Sequence, residues 1–529
     1  MSNDIGLSKI DQITNAFSKL FANKTNPEET FWLGYCYQHG IEIDKNEKKA
    51  FTYYQKSANM NNSDGMYYVG HCYYLGIGVE IDKKKAFVYY LKSAKSGNSM
   101  VIFKTAVCYR YGIGVEGNYG EFRNWNLKDS KYGKCKHCYE YNTDESWCIT
   151  CDPEIMIRKW TCGNKDVDCC IKVFQLRTMK YENAIEWIPF DKSSITDKIG
   201  EGGFGCVYSA TWPDGIRKIE KTDDHHYVRS REPSSTVALK TLSDSSLKEF
   251  KNHMKCVMFG SKLKKYGLTQ NAETNEYMMV LQYVNNGNLY KFLRTNFRDL
   301  NWQTKLKLLL DISEDLRKIH VINYIHADFH SGNILQHKGI GENIKSYISD
   351  MGLSKKFYEN DSEGCIYGVM PYVAPEVLSS QEFTEKADIY DFGVIMSEIS
   401  TGQRPFDGYQ FNEELAVKIC IGSRPEFAPG TPECYIKLAK QCMDSDPEKQ
   451  PAAWQVFQEL YKWVEIMENS DNNEIKKQFL DADKIVEKLP INLPKHPDFM
   501  YTSKIINTQK ISQAIKVSMP IESIELPDY

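Results

Sequence analysis

The chain of 529 residues has no unbroken apolar run long enough to span a bilayer, and its start, Met1-Ser2-Asn3-Asp4, is polar with no apolar signal core behind it. Membrane-spanning and secreted classes are therefore excluded from expectation, and the sequence reads as a soluble, cytoplasmic protein. Nor is there a surplus of charge of one sign. The 66 basic and 70 acidic residues leave a net charge of -4, so nothing global recommends nucleic acid or an anionic membrane as partner. Sixteen cysteines in a reducing compartment read as free thiols or metal ligands rather than as disulfides. The length is too great for one hydrophobic core, so a multidomain chain is expected.

What is present begins with a repeat. Cys36, Cys72 and Cys108 are spaced 36 residues apart, as are Gly40, Gly76 and Gly112, and Ala50, Phe51, Tyr53 and Tyr54 return at the same offset as Ala86, Phe87, Tyr89 and Tyr90. Each unit predicts two helices: an aromatic-rich one such as Phe31 to His39, a glycine turn, and an amphipathic one such as Glu47 to Asn59. The runs LGYCYQHG, VGHCYYLGIGVE and AVCYRYGIGVE resemble Sel-like repeats, relatives of the tetratricopeptide class. That resemblance implies an α-helical solenoid over 30–125 that recruits adaptor or regulatory proteins, with 1–29 as its cap. A rigid spacer is the competing reading, because stacked repeats need apolar stripes whatever they do. The third unit reads as truncated after Glu116.

Next come Cys135-Lys136-His137-Cys138 and Cys148-Ile149-Thr150-Cys151. Two such pairs can close one tetrahedron around Zn²⁺, with thiolates at about 2.3 Å, and the metal then stabilises a module otherwise too small to fold. Cys135, Cys138, Cys148 and Cys151 are thus the expected ligands of a zinc-ribbon-like module over 130–155. Unligated thiols or a redox pair are the alternative. Four protein ligands leave no open position, so the role read here is structural. Residues 156–192 read as a linker.

The densest chemistry lies further on. Ile199-Gly200-Glu201-Gly202-Gly203-Phe204-Gly205-Cys206-Val207 is a GxGxxGxV turn between strand-like runs, in which glycines let backbone amides reach phosphates. Val237-Ala238-Leu239-Lys240 reads as a strand carrying one lysine suited to α- and β-phosphates. The polar insert between them, about 213–235, reads as an exposed connecting loop, including Asp223-Asp224-His225-His226. His326-Ala327-Asp328 with Asn333 offers a carboxylate for a hydroxyl nucleophile and an amide oxygen for a divalent ion. Asp350-Met351-Gly352 offers a second metal carboxylate, and Ala374-Pro375-Glu376 and Asp388 to Gly393 follow.

In this order the motifs resemble the eukaryotic protein kinase family, tyrosine-kinase-like in flavour, over 193–468; together with Sel-like repeats they are similar to a set of fungal kinases. The resemblance implies a bilobal α+β catalytic domain that binds ATP and Mg²⁺ and phosphorylates a protein Ser/Thr hydroxyl, with Tyr as the other acceptor class. Lys240, Asp328, Asn333 and Asp350 would be catalytic, Asn333 and Asp350 holding Mg²⁺. Ile199, Gly200, Glu201, Gly202, Gly203, Phe204, Gly205, Val207, Ala238, Leu281, Gln282, Val284 and Leu335 would line the nucleotide site, with Leu281 as gatekeeper and Gln282 to Val284 as hinge.

Four positions depart from the pattern. His253 stands where the helix that follows the lysine strand should offer a glutamate, with Glu249 one turn away and able to substitute only if the helix rotates or shifts. Ala327 replaces an arginine, His330 a lysine, and Gln450 the arginine expected to pair with Glu376. His253 and Gln450 motivate the alternative of a pseudokinase scaffold acting through protein contacts. The tail 469–529 is polar, carries Pro490, Pro494, Pro497, Pro520 and Pro527, and reads as a flexible extension with one short helix near Ile505 to Val517.

Overall fold

The computed structural model describes residues 27–39, 44–96, 99–126, 132–139, 142, 144–148, 151–158, 160–176, 178, 180–192, 194–202, 205–222, 227–242, 247–258, 261–321, 324–339, 341, 343–356, 365–469, 473–486 and 494–518. It divides into two units, residues 1–184 with 217–232, and residues 185–216 with 233–529. Among the described residues no helix is long and apolar enough to cross a membrane.

In the first unit, three helix pairs follow from the repeat: Pro27–His39 with Glu47–Asn59, Ser63–Leu75 with Lys83–Lys95, and Ser99–Tyr111 with Tyr119–Asn126. Asn46, Asn62 and Asp82 start three of these helices by accepting the N–H of Lys49, Gly65 and Lys85. The period reappears as a tie inside the first two pairs: the Ser57 hydroxyl donates to Pro27 O at 2.5 Å and that of Ser93 to Ser63 O at 2.7 Å. Gly70 permits the close approach of its pair, since a Cβ there would stand 2.8 Å from the Tyr90 ring. Burial pushes the thiols of Cys72 and Cys108 up to about 12 and about 11, which marks them as packing residues. The third pair does not stop at Glu116; it continues into a second helix of 8 residues against 13 in the others. The expected cap falls on 1–26, outside the described residues, and on the start of the first helix.

Residues 156–192, expected as a linker, hold the helix Lys165–Leu176, whose Val167, Cys170, Ile171 and Phe174 are buried. The insert expected as a loop forms a hairpin, Ile216–Lys221 with Tyr227–Glu232, while 223–226 lie outside the described residues.

The second unit has two lobes. Among the described residues its sheet is six-stranded, in the order Glu186–Trp187, Lys265–Gln270, Tyr277–Gln282, Ser235–Thr241, Gly205–Trp212, Ser194–Gly202. The helix Lys248–Met258 follows the lysine strand. The second lobe is helical, around Trp302–Val321, Glu385–Thr401, Glu433–Cys442 and Ala453–Asn469, with Trp302, Phe392, Tyr435 and Trp463 almost wholly buried. Such aromatics dominate the area removed from water and fix the lobe that carries the acidic loop, His326 to Asn333 with Asp328 in it.

The tail expectation narrows. Within 469–529, Glu474–Val486 is a helix whose Phe479 and Ala482 join the lobe core, and Asp483 accepts the N–H of Trp302 at 2.7 Å. Further on, Lys504–Asn507 is a strand and Thr508–Ser518 a helix, with Tyr501, Ile506 and Ile511 in the same core. Residues 470–472, 487–493 and 519–529 lie outside the described residues. Polarity and proline content hid these contacts because a few widely spaced apolar anchors hold the segments down.

Candidate active site

Lys240 sits on the central lysine strand, opposite Val207 on one neighbour, while Ala238 faces Leu281 and Val237 faces Gln282 on the other. Val207, Ala238 and Leu281 thereby fall on adjacent strands beside the lysine. Gly205 has φ +130°, and a Cβ there would stand 2.5 Å from Thr241 Oγ1, which accepts the Cys206 N–H at 2.8 Å; no larger residue fits the turn. Ile199, Gly200, Glu201 and Gly202 belong to the preceding strand, while Gly203 and Phe204 lie outside the described residues. Val284 follows the Tyr277–Gln282 strand half-buried, and Leu335 bridges to Asn288 across the cleft floor.

Lys240, 7% exposed as a residue, contacts Glu249 Oε1 at 2.5 Å and Asp350 Oδ1 at 2.8 Å through its ammonium. Burial alone would lower its pKa, but the Asp350 and Glu249 carboxylates outweigh it and hold the ammonium above the ordinary lysine value. This corrects the reading of the following helix. Glu249 supplies the carboxylate, and His253, one turn on and on the same face, has another task. Its Nε2 accepts the Met351 N–H at 3.3 Å and lies 3.5 Å from Glu249 Oε1. Burial first, then the nearby Lys265 and Lys240 charges, hold this imidazole well below its usual pKa and therefore neutral, as an acceptor must be. Asn252 adds a bond from Nδ2 to Ser354 O at 3.0 Å, so two side chains of the helix grip the turn that presents Asp350. The sequence signal for His253 and Asn252 was only their i, i+3 and i, i+4 spacing from Glu249.

Asp328 is anchored from below. Asp388 accepts the N–H groups of His326 and Ala327 at 2.8 and 3.1 Å, which lets Ala327 hold φ +64°. Asn333 Nδ2 donates to Asp328 O at 2.9 Å and to Oδ2 at 3.2 Å, and Ser349 donates from N and Oγ to Asn333 O, both at 2.8 Å. A continuous chain of contacts thus runs from Asp328 through Asn333 and Ser349 to Asp350, Lys240 and Glu249. Burial raises the Asp328 carboxyl, but His330 at 3.6 Å, the Ser503 hydroxyl and His326 outweigh it and keep its pKa below the ordinary aspartate value. It is ionised at neutral pH, as a group receiving a proton must be.

Ser503 was missed by sequence reasoning. Its Oγ stands 2.8 Å from Asp328 Oδ1 and 2.6 Å from Oδ2. Glu376, whose usual arginine partner is replaced by Gln450, is buried, and among the described residues neither carboxylate oxygen has a hydrogen-bond partner from another side chain. Gln450, in the arginine's place, donates instead to Asp444 O at 2.9 Å.

The donor sets fit the implied ions. Asn333 spends its amide N–H groups on Asp328, leaving its oxygen, which with the Asp350 carboxylate is the oxygen chemistry a hard divalent ion prefers. In the first unit the Sγ atoms of Cys135, Cys138, Cys148 and Cys151 all lie within 4.8 Å of one another, with Cys138 and Cys148 3.6 Å apart. Thiolates tetrahedral about zinc stand about 3.8 Å apart, given the metal–sulfur length of about 2.3 Å. Around them Asp152 Oδ2 accepts the Cys148 N–H and the Arg229 guanidinium, each at 2.6 Å.

The family model described as protein tyrosine and serine/threonine kinase matches residues 193–460, and the Sel1 repeat model matches 30–62, 63–98 and 99–121. Three relatives from Dictyostelium discoideum are named probable serine/threonine-protein kinases. Roco5 is 30% identical over 269 residues, 49% of this chain and 9% of its own; pats1 is 30% identical over 287 residues, 53% and 9%. DrkC is 28% identical over 302 residues, 54% and 36%. The chain thus spans between 9 and 36% of the length of these curated relatives. With more than half of its length matched from the glycine turn to the last large helix of the helical lobe, the chain belongs to the protein tyrosine and serine/threonine kinase family.

Proposed function

We propose that the protein is a kinase that transfers the γ-phosphoryl group of ATP to a protein serine or threonine hydroxyl. The observation that carries this reading is the single contact chain linking Asp328, Asn333, Asp350, Lys240 and Glu249 in one cleft. In it Lys240 holds the α- and β-phosphates, Glu249 fixes Lys240, and Asp328 orients the acceptor hydroxyl and receives its proton. The glycine turn covers the phosphates, and Ala238, Val207, Leu281 and Leu335 provide apolar walls for the adenine, with Gln282 and Val284 at the hinge. Magnesium, when bound, neutralises phosphoryl charge; Asp350 and Asn333 would hold it. The scaffold alternative loses one of its motives, because the carboxylate missing at His253 is supplied by Glu249.

The reading extends to the first unit. The repeats over 30–125 recruit adaptor or regulatory proteins, and the cysteine cluster over 130–155 is a structural zinc site. The catalytic segment is 193–468, and a cytoplasmic setting suits the free thiols. The test is labelled ATP with Mg²⁺ and casein as acceptor, beside an Asp328→Asn control; label that survives undiminished in the control defeats the enzyme reading.

A further inference from the structure

The segment from Asp498 to Ser518 lies where an acceptor polypeptide has to lie. Its strand Lys504–Asn507 pairs antiparallel with Cys365–Gly368, in the register Gly368 with Lys504, Tyr367 with Ile505, Ile366 with Ile506 and Cys365 with Asn507. Cys365–Gly368 belongs to the stretch between Asp350 and the Pro375–Leu378 helix, the part of the chain that flanks the acidic loop. Peptides are commonly bound by such strand addition, in which main-chain hydrogen bonds supply affinity and the side chains set register. Here the register delivers Ser503, the residue just before the strand, to Asp328.

Anchors on both sides hold that placement. Upstream, Tyr501 is buried, donates to Pro405 O at 3.0 Å and lies under the Arg404 guanidinium at 4.4 Å. Downstream, Ile506 and Ile511 enter the helical-lobe core. With residues two before and three after it fixed, Ser503 has little freedom, and its hydroxyl meets both oxygens of the carboxylate at hydrogen-bond distance. Reacting groups held in such contact gain the large effective concentration of an intramolecular step.

We infer that the C-terminal segment is an intramolecular occupant of the protein-acceptor site and that Ser503 is its phosphoryl acceptor. The inference rests on the kinase reading above and adds the acceptor class, a serine hydroxyl. In the step, Ser503 Oγ forms a bond to the γ-phosphorus of ATP. The bond from that phosphorus to the bridging β,γ-oxygen breaks, the hydroxyl proton passes to the Asp328 carboxylate, and ADP departs. Asp328 then gives up the proton to solvent and is ionised again, so the phosphoserine dianion stands against a carboxylate, and this repulsion releases the segment and opens the site to other proteins.

The test uses the full chain, dephosphorylated, with labelled ATP and Mg²⁺ at a series of protein concentrations, casein present in a parallel arm, and label mapped by mass spectrometry. Expected is label on Ser503 at a rate per molecule that does not change with protein concentration, and its loss in Ser503→Ala. Ile506→Asp, which sets a charge in the core at the paired strand, is expected to lower the Ser503 label and raise casein phosphorylation. Casein label without Ser503 label overturns the inference and leaves the kinase reading standing. A Ser503 rate proportional to protein concentration overturns the intramolecular step. Label on neither overturns the kinase reading and this inference with it.

Discussion

Replacing Glu249 by glutamine keeps the shape of the side chain and removes its charge, and so isolates what the 2.5 Å contact to Lys240 does. The ammonium is not stranded, because Asp350 remains at 2.8 Å. What is lost is one charge-assisted hydrogen bond in a buried site, about 1.5–3 kcal/mol. Lys240 is then drawn toward Asp350, away from the phosphates and onto a carboxylate needed for the metal. If the loss falls on the transition state, kcat/KM for ATP drops roughly 10- to 100-fold, at about 1.4 kcal/mol per power of ten. His253→Gln retains a neutral acceptor near the Met351 N–H and leaves Lys240 with both carboxylates, so it stays far closer to wild type in kcat/KM. The assay is initial-rate phosphorylation of casein over a range of ATP concentrations, with thermal melting to verify folding. Glu249→Gln indistinguishable from wild type, with His253→Gln crippled, would refute the assignment of the helix register and place His253, not Glu249, beside the reacting phosphates.

Two further outcomes follow from buried groups. Purified full chain is expected to release about one zinc per molecule when its thiols are blocked, in keeping with a four-thiolate site; Cys138→Ser reduces that yield, and zinc no higher than in buffer would sink the assignment. Glu376→Gln is expected to raise the thermal midpoint of the second unit at neutral pH, because the wild-type carboxylate is buried with no side-chain hydrogen-bond partner among the described residues, a deficit of about 1–3 kcal/mol. Burial raises the folded-state pKa of Glu376 above its unfolded value. The folded state therefore holds the proton more tightly, and wild-type stability falls as pH rises from the unfolded value through the folded one. The advantage of glutamine widens from acid to neutral pH in differential scanning calorimetry, and a pH-independent advantage would contradict this.

Much of this was legible in the residues because the chemistry is ordered along the chain. The 36-residue period implied paired helices, and the Ser57 and Ser93 ties repeat it atom for atom. The doubled CxxC spacing implied one cluster, and the four sulfurs meet. What was not legible depended on rotation and on distance in sequence. Glu249 and His253 share a helix face, and which of them reaches Lys240 is decided by how the helix packs on the turn at Met351, through Asn252 and His253 themselves. The role of Ser503 needs contacts 175 residues away. A four-residue strand bounded by polar residues carries no strong local pattern, and its partner strand is equally short.

The arginine reaching Asp152 from the hairpin has a consequence for how the protein is made and cut. Arg229 lies 77 residues beyond its carboxylate, past the point where the kinase match begins. While the ribosome is still synthesising that stretch, the cysteine cluster waits with an acid beside Cys148 and no cation to meet it. A recombinant fragment ending before residue 193 would preserve that vacancy permanently, whereas one beginning there would carry an orphaned arginine. Dissecting the molecule therefore calls for boundaries drawn in space, with the hairpin supplied in trans or grafted back, rather than a single scission along the chain.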